Sequence, residues 1–352
     1  MSRSSAQIPV IDISPSNPHA ATQLLDAAAN NGFVFVENNA AAGMPLTKVK
    51  DMFALVKKKI QLLKWMQLAD NKNNRGWVSM QQETLDPGNQ KRGDFKEYNT
   101  FISHPVPLRL IPPLRAFNLG EFDSNKPSQP LPEPFSTQVN TVADFSHSCH
   151  ALCNKLLQLF AEALEIPSDW FSSRHDQTKG PSGSIMRLLY YPSVPDTLAP
   201  DEDDIRAGAH SDYGTLTLLF QLPGQPGLEI KTPSGQWASV PVDPHGTLLS
   251  DPSKPLPILV NIGDLLAYWT NGLLKSTVHR VIFPKEARRG GEDRYSMAYF
   301  CHPLDNAELV PVPSKRVEQY EGGIEGVKRE GKTLTAKDHL LERLAATYGT
   351  KA

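Results

Sequence analysis

Hydrophobic and polar residues follow two different periods along the chain, which separate helical segments from a β-rich region in its second half. Apolar positions at helical spacing predict helices at residues 20–30, 46–68, 142–164 and 335–348. Short apolar or alternating runs predict strands at 8–13, 32–36, 184–191, 214–221, 227–231, 237–240, 257–262, 277–283 and 295–302. Gly, Pro and Asp separate the later strands, and many short strands at even spacing are typical of an antiparallel sandwich or barrel.

The predicted elements form one integrated unit with three regions. Residues 1–140 combine helices with strands that contribute to the core. Residues 141–310 hold a long helix followed by the β-rich region, and residues 311–352 form a C-terminal helical segment. Residues 105–135 are crowded with proline, so we expect a long surface loop there. The predicted fold class is therefore α+β with a mainly β core.

Composition and charge exclude several classes of protein. The 352 residues carry a formal net charge of -2, whereas a nucleic-acid scaffold needs a concentrated surplus of Lys and Arg. Three cysteines are too few for a disulfide framework. The first residues lack the apolar stretch of a signal peptide, and no run is apolar enough to span a bilayer. We expect a cytoplasmic protein with a small-molecule partner, no nucleic acid and no membrane; the oligomeric state stays open.

His210, Asp212 and His279 are the candidate metal ligands. On a strand, positions i and i+2 point to the same face, so His210 and Asp212 can reach one ion together. His279 lies in a later predicted strand and can supply a third ligand. Two imidazoles and one carboxylate leave three positions open on the ion, as in the facial triad of Fe(II) oxygenases. Taken alone, a His-x-Asp pair is more often a surface or core pair than a metal site.

Arg294, Ser296 and Tyr191 form a second candidate set, suited to binding a carboxylate. Arg294 and Ser296 share one face of a predicted strand, and a guanidinium grips a carboxylate through two hydrogen bonds. Tyr191 can add a hydroxyl from a neighbouring strand. Arg187 has the same parity as Tyr191 and so projects to the same face, where it binds substrate or makes an ion pair; the sequence does not decide between these roles.

A zinc site is the competing metal hypothesis. Four potential ligands lie close together in one predicted helix: His147, Cys149, His150 and Cys153. The two cysteines share a helix face, but the two histidines project elsewhere, whereas a structural zinc site needs four converging ligands. We therefore interpret the cysteines as buried residues at a helix seam.

Several ordered motifs resemble the 2-oxoglutarate/Fe(II) oxygenases of the isopenicillin N synthase-like family. The sequence HSDYGTLTLLFQ at 210–221 resembles the first metal motif of that family, and VNIGD at 260–264 followed by HRV at 279–281 resembles its second block. RYS at 294–296 matches its Arg-x-Ser cosubstrate motif. IPVID at 8–12, DFKE at 94–97 and TAKDH at 335–339 are similar to further family elements, so the resemblance covers nearly the whole chain.

This resemblance implies a double-stranded β-helix, or jelly roll, flanked by N-terminal and C-terminal helices. It implies an enzyme that uses Fe(II), 2-oxoglutarate and O2, with His210, Asp212 and His279 on the metal. The keto acid would chelate iron, while Arg294, Ser296 and Tyr191 would hold its far carboxylate. The implied reaction releases succinate and CO2 and hydroxylates, desaturates or modifies a ring of a small specialised metabolite. The substrate itself is not readable from the motifs.

The chain departs from the family pattern at three places. Residues 37–40 replace the usual Asn-His-Gly, a loop to which we assign a packing role. Residues 284–293 are longer than usual and lengthen a hairpin. Leu189 stands where an Asn usually precedes the Tyr-Tyr-Pro sequence, which weakens the role of that strand in cosubstrate binding. Within the second block, we interpret Asp264 and Asn271 as turn residues.

Two alternatives stay open at the level of sequence. The first is an iron-dependent oxidase of the same fold that does not use 2-oxoglutarate, in which Arg294 and Ser296 hold a substrate carboxylate. The second is a non-catalytic β-sandwich binding protein that has lost its metal. The intact candidate ligands argue against the second alternative, and oxygen uptake with and without the keto acid distinguishes the first.

Overall fold

The computed structural model describes residues 4–59, 75–78, 115–191, 205–246, 248, 251, 253–282, 292–324 and 333–348. The helices are α1 (Ala20–Asn30), α2 (Leu46–Lys59), α3 (Val139–Ala163), α4 (Asp264–Trp269), α5 (Lys315–Glu318) and α6 (Ala336–Tyr348). The first seven strands are β1 (Val10–Ile11), β2 (Phe33–Val36), β3 (Gly76–Val78), β4 (Arg115–Leu119), β5 (Phe122–Asp123), β6 (Lys126–Pro127) and β7 (Ile185–Tyr191). The later strands are β8 (Ile205–His210), β9 (Leu216–Gln221), β10 (Leu228–Lys231), β11 (Trp237–Ser239), β12 (Ile258–Ile262), β13 (His279–Ile282) and β14 (Arg294–Cys301).

Two sheets form the core of the protein. The larger sheet has the strand order β1-β2-β12-β9-β14-β7-β4-β3, and the smaller has the order β11-β10-β13-β8. One hydrophobic cluster joins them, because Leu228 and Val281 of the smaller sheet share it with Tyr191, Phe33 and Leu259 of the larger. This arrangement is the jelly roll of the oxygenase fold, with helices at both ends, so the predicted fold class is confirmed.

Helix α3 covers the outer face of the larger sheet. Its buried stripe recurs at helical spacing, and Leu156, Leu157 and Phe160 are fully buried. Phe145 of α3 packs against Phe220 of β9, with ring centroids 5.2 Å apart. After α3 the backbone turns at Glu165, which has a positive φ of 57°. The larger sheet is therefore covered by α3 on its outer side and by the smaller sheet on its inner side.

One prediction on the fold was wrong. Residues 115–119, which lie in the expected proline-rich loop, form β4 and pair antiparallel with β7. Ala116, Phe117 and Leu119 are buried, and so is the side chain of Asn118. The five-residue strand is too short for its period to stand out beside prolines, and only pairing with β7 reveals it. Residues 105–114, the 60–68 part of the second predicted helix and the 284–291 part of the predicted long hairpin lie outside the described residues.

Candidate metal centre

Two paired strands bring the imidazoles of the site together. His210 ends β8, His279 begins β13, and the two residues are direct partners in the antiparallel ladder. Their ring centroids are 4.4 Å apart. Directly opposed residues on neighbouring strands project side by side, which explains this closeness. The two histidines therefore meet because of strand register and not because of closeness in the chain.

Asp212 reaches the histidines from a turn. The prediction that His210 and Asp212 lie on one strand was wrong, because β8 ends at His210. Nevertheless, Asp212 Oδ1 lies 3.8 Å from Nε2 of His210 and 3.6 Å from Nε2 of His279. The three ligand atoms lie within 4.8 Å of one another, and they form the only such group of His, Cys, Asp or Glu found within the described part of the chain.

Backbone carbonyls orient both imidazole rings. Nδ1 of His210 donates to the carbonyl oxygen of Gly208 over 2.7 Å, and Nδ1 of His279 donates to that of Thr277 over 3.1 Å. A carbonyl oxygen only accepts, so each ring carries a proton on Nδ1, and Nε2 is the nitrogen left to bind a metal ion. Metal-binding histidines are commonly held by such second hydrogen bonds. Both Nε2 atoms lie near the Asp212 carboxylate.

The Asp212 carboxylate is buried yet stabilised as an anion. Burial acts to raise its pKa, but His279, His210 and hydrogen bonds outweigh this effect, so its pKa lies below the ordinary value. Oδ2 accepts hydrogen bonds of 2.6 Å from Thr217 and from Asn261. These donors occupy Oδ2 and leave Oδ1 towards the imidazoles. A metal ion would therefore meet two neutral nitrogens and one charged oxygen, a donor set that fits Fe(II) with positions left open.

Asp264 ties the metal-binding loop to its surroundings. Its backbone N–H donates to the carbonyl oxygen of Asp212 over 2.8 Å, and its side chain accepts 2.7 Å from Ser276, three residues before His279. Burial acts to raise the pKa of Asp264, but His339, Ser276 and Arg343 outweigh it and lower the pKa. The interpretation of Asp264 as a turn residue was therefore wrong, because it opens α4 and links three segments. Asn271 does lie in a turn, with a φ of 50°.

Helix α6 contacts the same loop. Arg343 Nη2 lies 3.4 Å from Ser211 Oγ, and its Nε lies 3.7 Å from Asp264 Oδ2. The guanidinium stacks 4.6 Å from the ring of Tyr213, whose hydroxyl is hydrogen-bonded to Thr347 over 2.5 Å. The C-terminal helix is thus attached to the residues on both sides of Asp212.

A cavity of about 60 Å³ opens beside the metal ligands. Its lining residues are Ile185, Arg187, His210, Asp212, Tyr213, Phe300, His302, Leu340, Leu344 and Thr347. Burial lowers the pKa of His302 to about 3, so its ring is neutral at physiological pH. The cavity therefore combines apolar walls from β7, β14 and α6 with the guanidinium of Arg187.

The candidate carboxylate-binding residues also lie together. Arg294 is buried and donates from Nη1 to Ser296 Oγ over 3.1 Å, as the shared strand face predicted. Its guanidinium carbon lies 5.1 Å from the centre of the Tyr191 ring, and its strand pairs with β7 through Arg294 and Tyr191. Nε donates to the carbonyl oxygen of Gln225, and Nη2 donates to the side chain of Gln221.

Sequence reasoning missed Arg206, which is 2% exposed in β8. Its guanidinium carbon lies 5.5 Å from the centre of the Tyr191 ring. The sequence does contain a signal for Arg206. Residues 206, 208 and 210 are spaced two positions apart, and residues at this spacing lie on one face of a regular strand. Because no strand was predicted at residues 205–210, this spacing could not be used to single out Arg206.

The zinc hypothesis finds no converging ligands in the described residues. Cys149 and Cys153 are buried free thiols on α3. Burial raises the pKa of both thiols, which keeps them protonated. They pack in the hydrophobic cluster between α3 and the larger sheet. This agrees with the interpretation that the two cysteines are buried residues at a helix seam.

Two family profiles match the chain over most of its length. Residues 8–119 match the N-terminal region described as "non-haem dioxygenase in morphine synthesis N-terminal", and residues 182–303 match the 2OG-Fe(II) oxygenase superfamily. The second match spans the metal ligands. The chain belongs to the 2OG-Fe(II) oxygenase superfamily. It is thus a 2-oxoglutarate-dependent dioxygenase whose cofactors are Fe(II) and 2-oxoglutarate, with His210, Asp212 and His279 as the facial triad.

Fungal proteins are among those to which the chain is similar. The chain is 32% identical over 359 residues to UPF0676 protein C1494.01 of Schizosaccharomyces pombe, covering 99% of this chain and 95% of that protein. It is 28% identical to the 2-oxoglutarate-dependent dioxygenase citB of Monascus ruber, covering 99% and 98%. A full-length Neurospora crassa protein in complex with alpha-KG superimposes with a TM-score of 0.72 at 25% identity, covering 98% and 99%.

Within the described ranges, no helix combines the length and the apolar character that crossing a membrane requires.

Proposed function

We propose that this oxygenase couples the decarboxylation of 2-oxoglutarate to the hydroxylation, desaturation or ring modification of a small specialised metabolite. The products from the cosubstrate are succinate and CO2. The observation that carries the proposal is the facial triad, which lies beside a small cavity on one side of the barrel interior. Buried Arg294 supplies a separate site for a carboxylate in the same interior.

Arg294, Ser296 and Tyr191 bind the distal carboxylate of the cosubstrate in this proposal. A buried guanidinium without a nearby solvent shell favours an anionic ligand, and it forms paired hydrogen bonds with a carboxylate. Leu189, which replaces the usual Asn, offers no hydrogen bond, so the three named residues carry cosubstrate recognition from this side of the barrel. Molecular oxygen would be the oxidant; bound Fe(II) would activate it, and the oxidative decarboxylation of the keto acid would supply two of the electrons that reduce it.

The chain's own residues orient the reactants and exclude water. His210 and His279 present Nε2, while Thr217 and Asn261 hold Asp212 in the orientation that serves the metal. Ile185, Phe300, Leu340 and Leu344 give the cavity apolar walls. An apolar enclosure next to the metal keeps water from the reacting carbon and holds the substrate close to it.

Similar proteins support the class of substrate. The chain is 36% identical over 168 residues to the proline hydroxylase buaE of Petromyces alliaceus and 31% identical over 197 residues to the validamycin A dioxygenase of Streptomyces hygroscopicus subsp. limoneus. These matches cover 46% and 56% of this chain. Their names refer to small molecules, in agreement with the proposed class of substrate.

Oxygen consumption tests the proposal. We expect the iron-loaded protein to consume oxygen and form succinate when 2-oxoglutarate is added, and to do so faster with a metabolite that fits the cavity. Asp212→Ala serves as the control, because it removes the anionic ligand. Oxygen uptake that does not depend on the keto acid would favour an iron-dependent oxidase. A folded protein that gives no visible absorption band with Fe(II) and 2-oxoglutarate under anaerobic conditions would favour a non-catalytic binding protein.

A further inference from the structure

Two buried arginines from opposite sheets meet at one tyrosine. Arg206 belongs to β8 of the smaller sheet, and Arg294 belongs to β14 of the larger. They are 2% and 3% exposed. Their guanidinium carbons lie 5.5 Å and 5.1 Å from the centre of the Tyr191 ring, so both cations converge in the interior of the barrel.

The two cations act on each other through this interior. Burial, and to a smaller extent the charge of Arg294, lowers the pKa of Arg206 to about 9. Arg206 stays protonated at neutral pH, so the folded protein brings two like charges together. Asp293 acts in the opposite direction as a weaker influence, and its carboxylate accepts a hydrogen bond from Tyr190 over 3.0 Å. An anionic ligand between the guanidinium groups would offset this repulsion.

Arg294 alone has few donors left for such a ligand. Its Nε, Nη1 and Nη2 each donate once, to Gln225, Ser296 and Gln221. A guanidinium has five N–H groups, and the side chain of Tyr191 is a further hydrogen-bond partner of Arg294, so few remain. A carboxylate can accept several hydrogen bonds through its lone pairs. A second guanidinium nearby would supply further N–H donors to it.

Arg206 lies on the same strand as a metal ligand. It precedes His210 by four residues in β8, and the pairing of β8 with β13 is irregular between them. Four residues of strand separate the Cα atoms of Arg206 and His210 by about 13 Å. Strand β8 thus carries a metal ligand at its end and a buried cation near its start, and a keto acid with a second carboxylate has a group for each.

We propose that Arg206 and Arg294 together bind the distal carboxylate of 2-oxoglutarate and make the site selective for dicarboxylic keto acids. This inference rests on the proposed use of 2-oxoglutarate at the site. It adds to the Arg-x-Ser motif a cation from the opposite sheet. Arg206 sets the affinity for the cosubstrate and leaves the metal ligands untouched.

Calorimetric titration tests the inference without turnover. Protein loaded with Mn(II) is titrated with 2-oxoglutarate and with 2-oxopentanoate, which has a methyl group in place of the distal carboxylate. We expect Arg206→Met to raise the Kd for 2-oxoglutarate at least tenfold and to change the Kd for 2-oxopentanoate less than twofold. Arg206→Lys keeps the charge but loses the fork of donors, so we expect an intermediate increase for 2-oxoglutarate.

Thermal unfolding separates ligand binding from a structural role. If Arg206 binds the cosubstrate, Arg206→Met shrinks the rise in Tm that 2-oxoglutarate causes, since that rise depends on ligand concentration relative to Kd. If Arg206→Met lowers the Tm of the ligand-free protein but leaves the rise caused by 2-oxoglutarate undiminished, the inference is overturned. If Arg206→Met does not fold, Arg206→Lys decides: an unchanged preference for 2-oxoglutarate over 2-oxopentanoate contradicts the role. Absence of 2-oxoglutarate binding by the unmodified protein would instead sink the proposed function.

Discussion

Asn261 donates a hydrogen bond of 2.6 Å to Oδ2 of Asp212, from the strand β12 to the turn that follows β8. Both side chains are buried. This contact holds the carboxylate plane and leaves Oδ1 for the metal. Loss of a residue that orients a metal ligand in this way typically weakens metal binding or activity.

Asn261→Leu should therefore weaken iron binding by about 10- to 100-fold, because it removes the donor and leaves the carboxylate free to rotate. The measurement is an anaerobic titration of the protein with Fe(II). Thr217→Val, which removes the other donor to the same oxygen, is the matched variant and should act in the same direction. Iron affinity that is unchanged in both variants would show that the hydrogen bonds do not position Asp212.

Asp212→Ala should abolish turnover, because Asp212 is the only anionic member of the triad. Metal content of the purified protein and succinate formation measure the effect. Asp123→Ala changes an exposed carboxylate on β5 and serves as the control, for which we expect unaltered activity. Near-normal turnover by Asp212→Ala would refute the assignment of the metal ligands.

Arg294→Ala should raise the concentration of 2-oxoglutarate needed for half-maximal rate, because the variant loses a charged partner for the distal carboxylate. Iron affinity should stay within about twofold, since Arg294 contacts Ser296, Gln221 and Gln225 and none of the metal ligands. Steady-state kinetics and iron titration give the two readouts. Loss of iron by this variant would mean that the division of roles between triad and carboxylate site is wrong.

Arg343→Met should loosen α6, because it removes the contacts to Ser211, Asp264 and the Tyr213 ring. We expect faster amide hydrogen exchange across residues 336–348 and a lower rate with the metabolite substrate, whose cavity α6 helps to line. Leu341→Ala is the control on the same helix, since Leu341 is 48% exposed. Equal exchange in both variants would show that the arginine does not hold the helix.

Asp264→Asn should remove a pH-dependent contribution to stability. The folded-state pKa of Asp264 lies below its ordinary value of 3.8, so its carboxylate stabilises the fold above pH 3.8 and loses this effect as pH falls through the folded-state pKa. The groups facing it are Ser276, His339 and Arg343. We expect the unfolding free energies of the two proteins to differ near neutral pH and to converge in acid. Urea unfolding between about pH 3 and pH 7 measures this, and a constant difference contradicts it.

Local pattern was enough to predict most of the elements. Helix α1 has the predicted bounds, and α3 and α6 differ from prediction by only a few residues, because a helix that buries one stripe must repeat its apolar positions. The metal ligands were also recognisable, since His-x-Asp, the later His and Arg-x-Ser are chemical types that iron and a carboxylate require. Their order in the chain agrees with the family.

Only the tertiary structure decided how these residues meet. The His210–His279 pair depends on the register of β8 against β13, which no periodicity in either strand encodes. The roles of Asp264 and Arg343 depend on the docking of α6 against a loop more than a hundred residues earlier in the chain. Arg206 approaches Arg294 only because two sheets face each other. The sequence alone determined which residues can do the chemistry, because side-chain type is local. Long-range pairing determined their partners, since burial and register arise when distant segments pack.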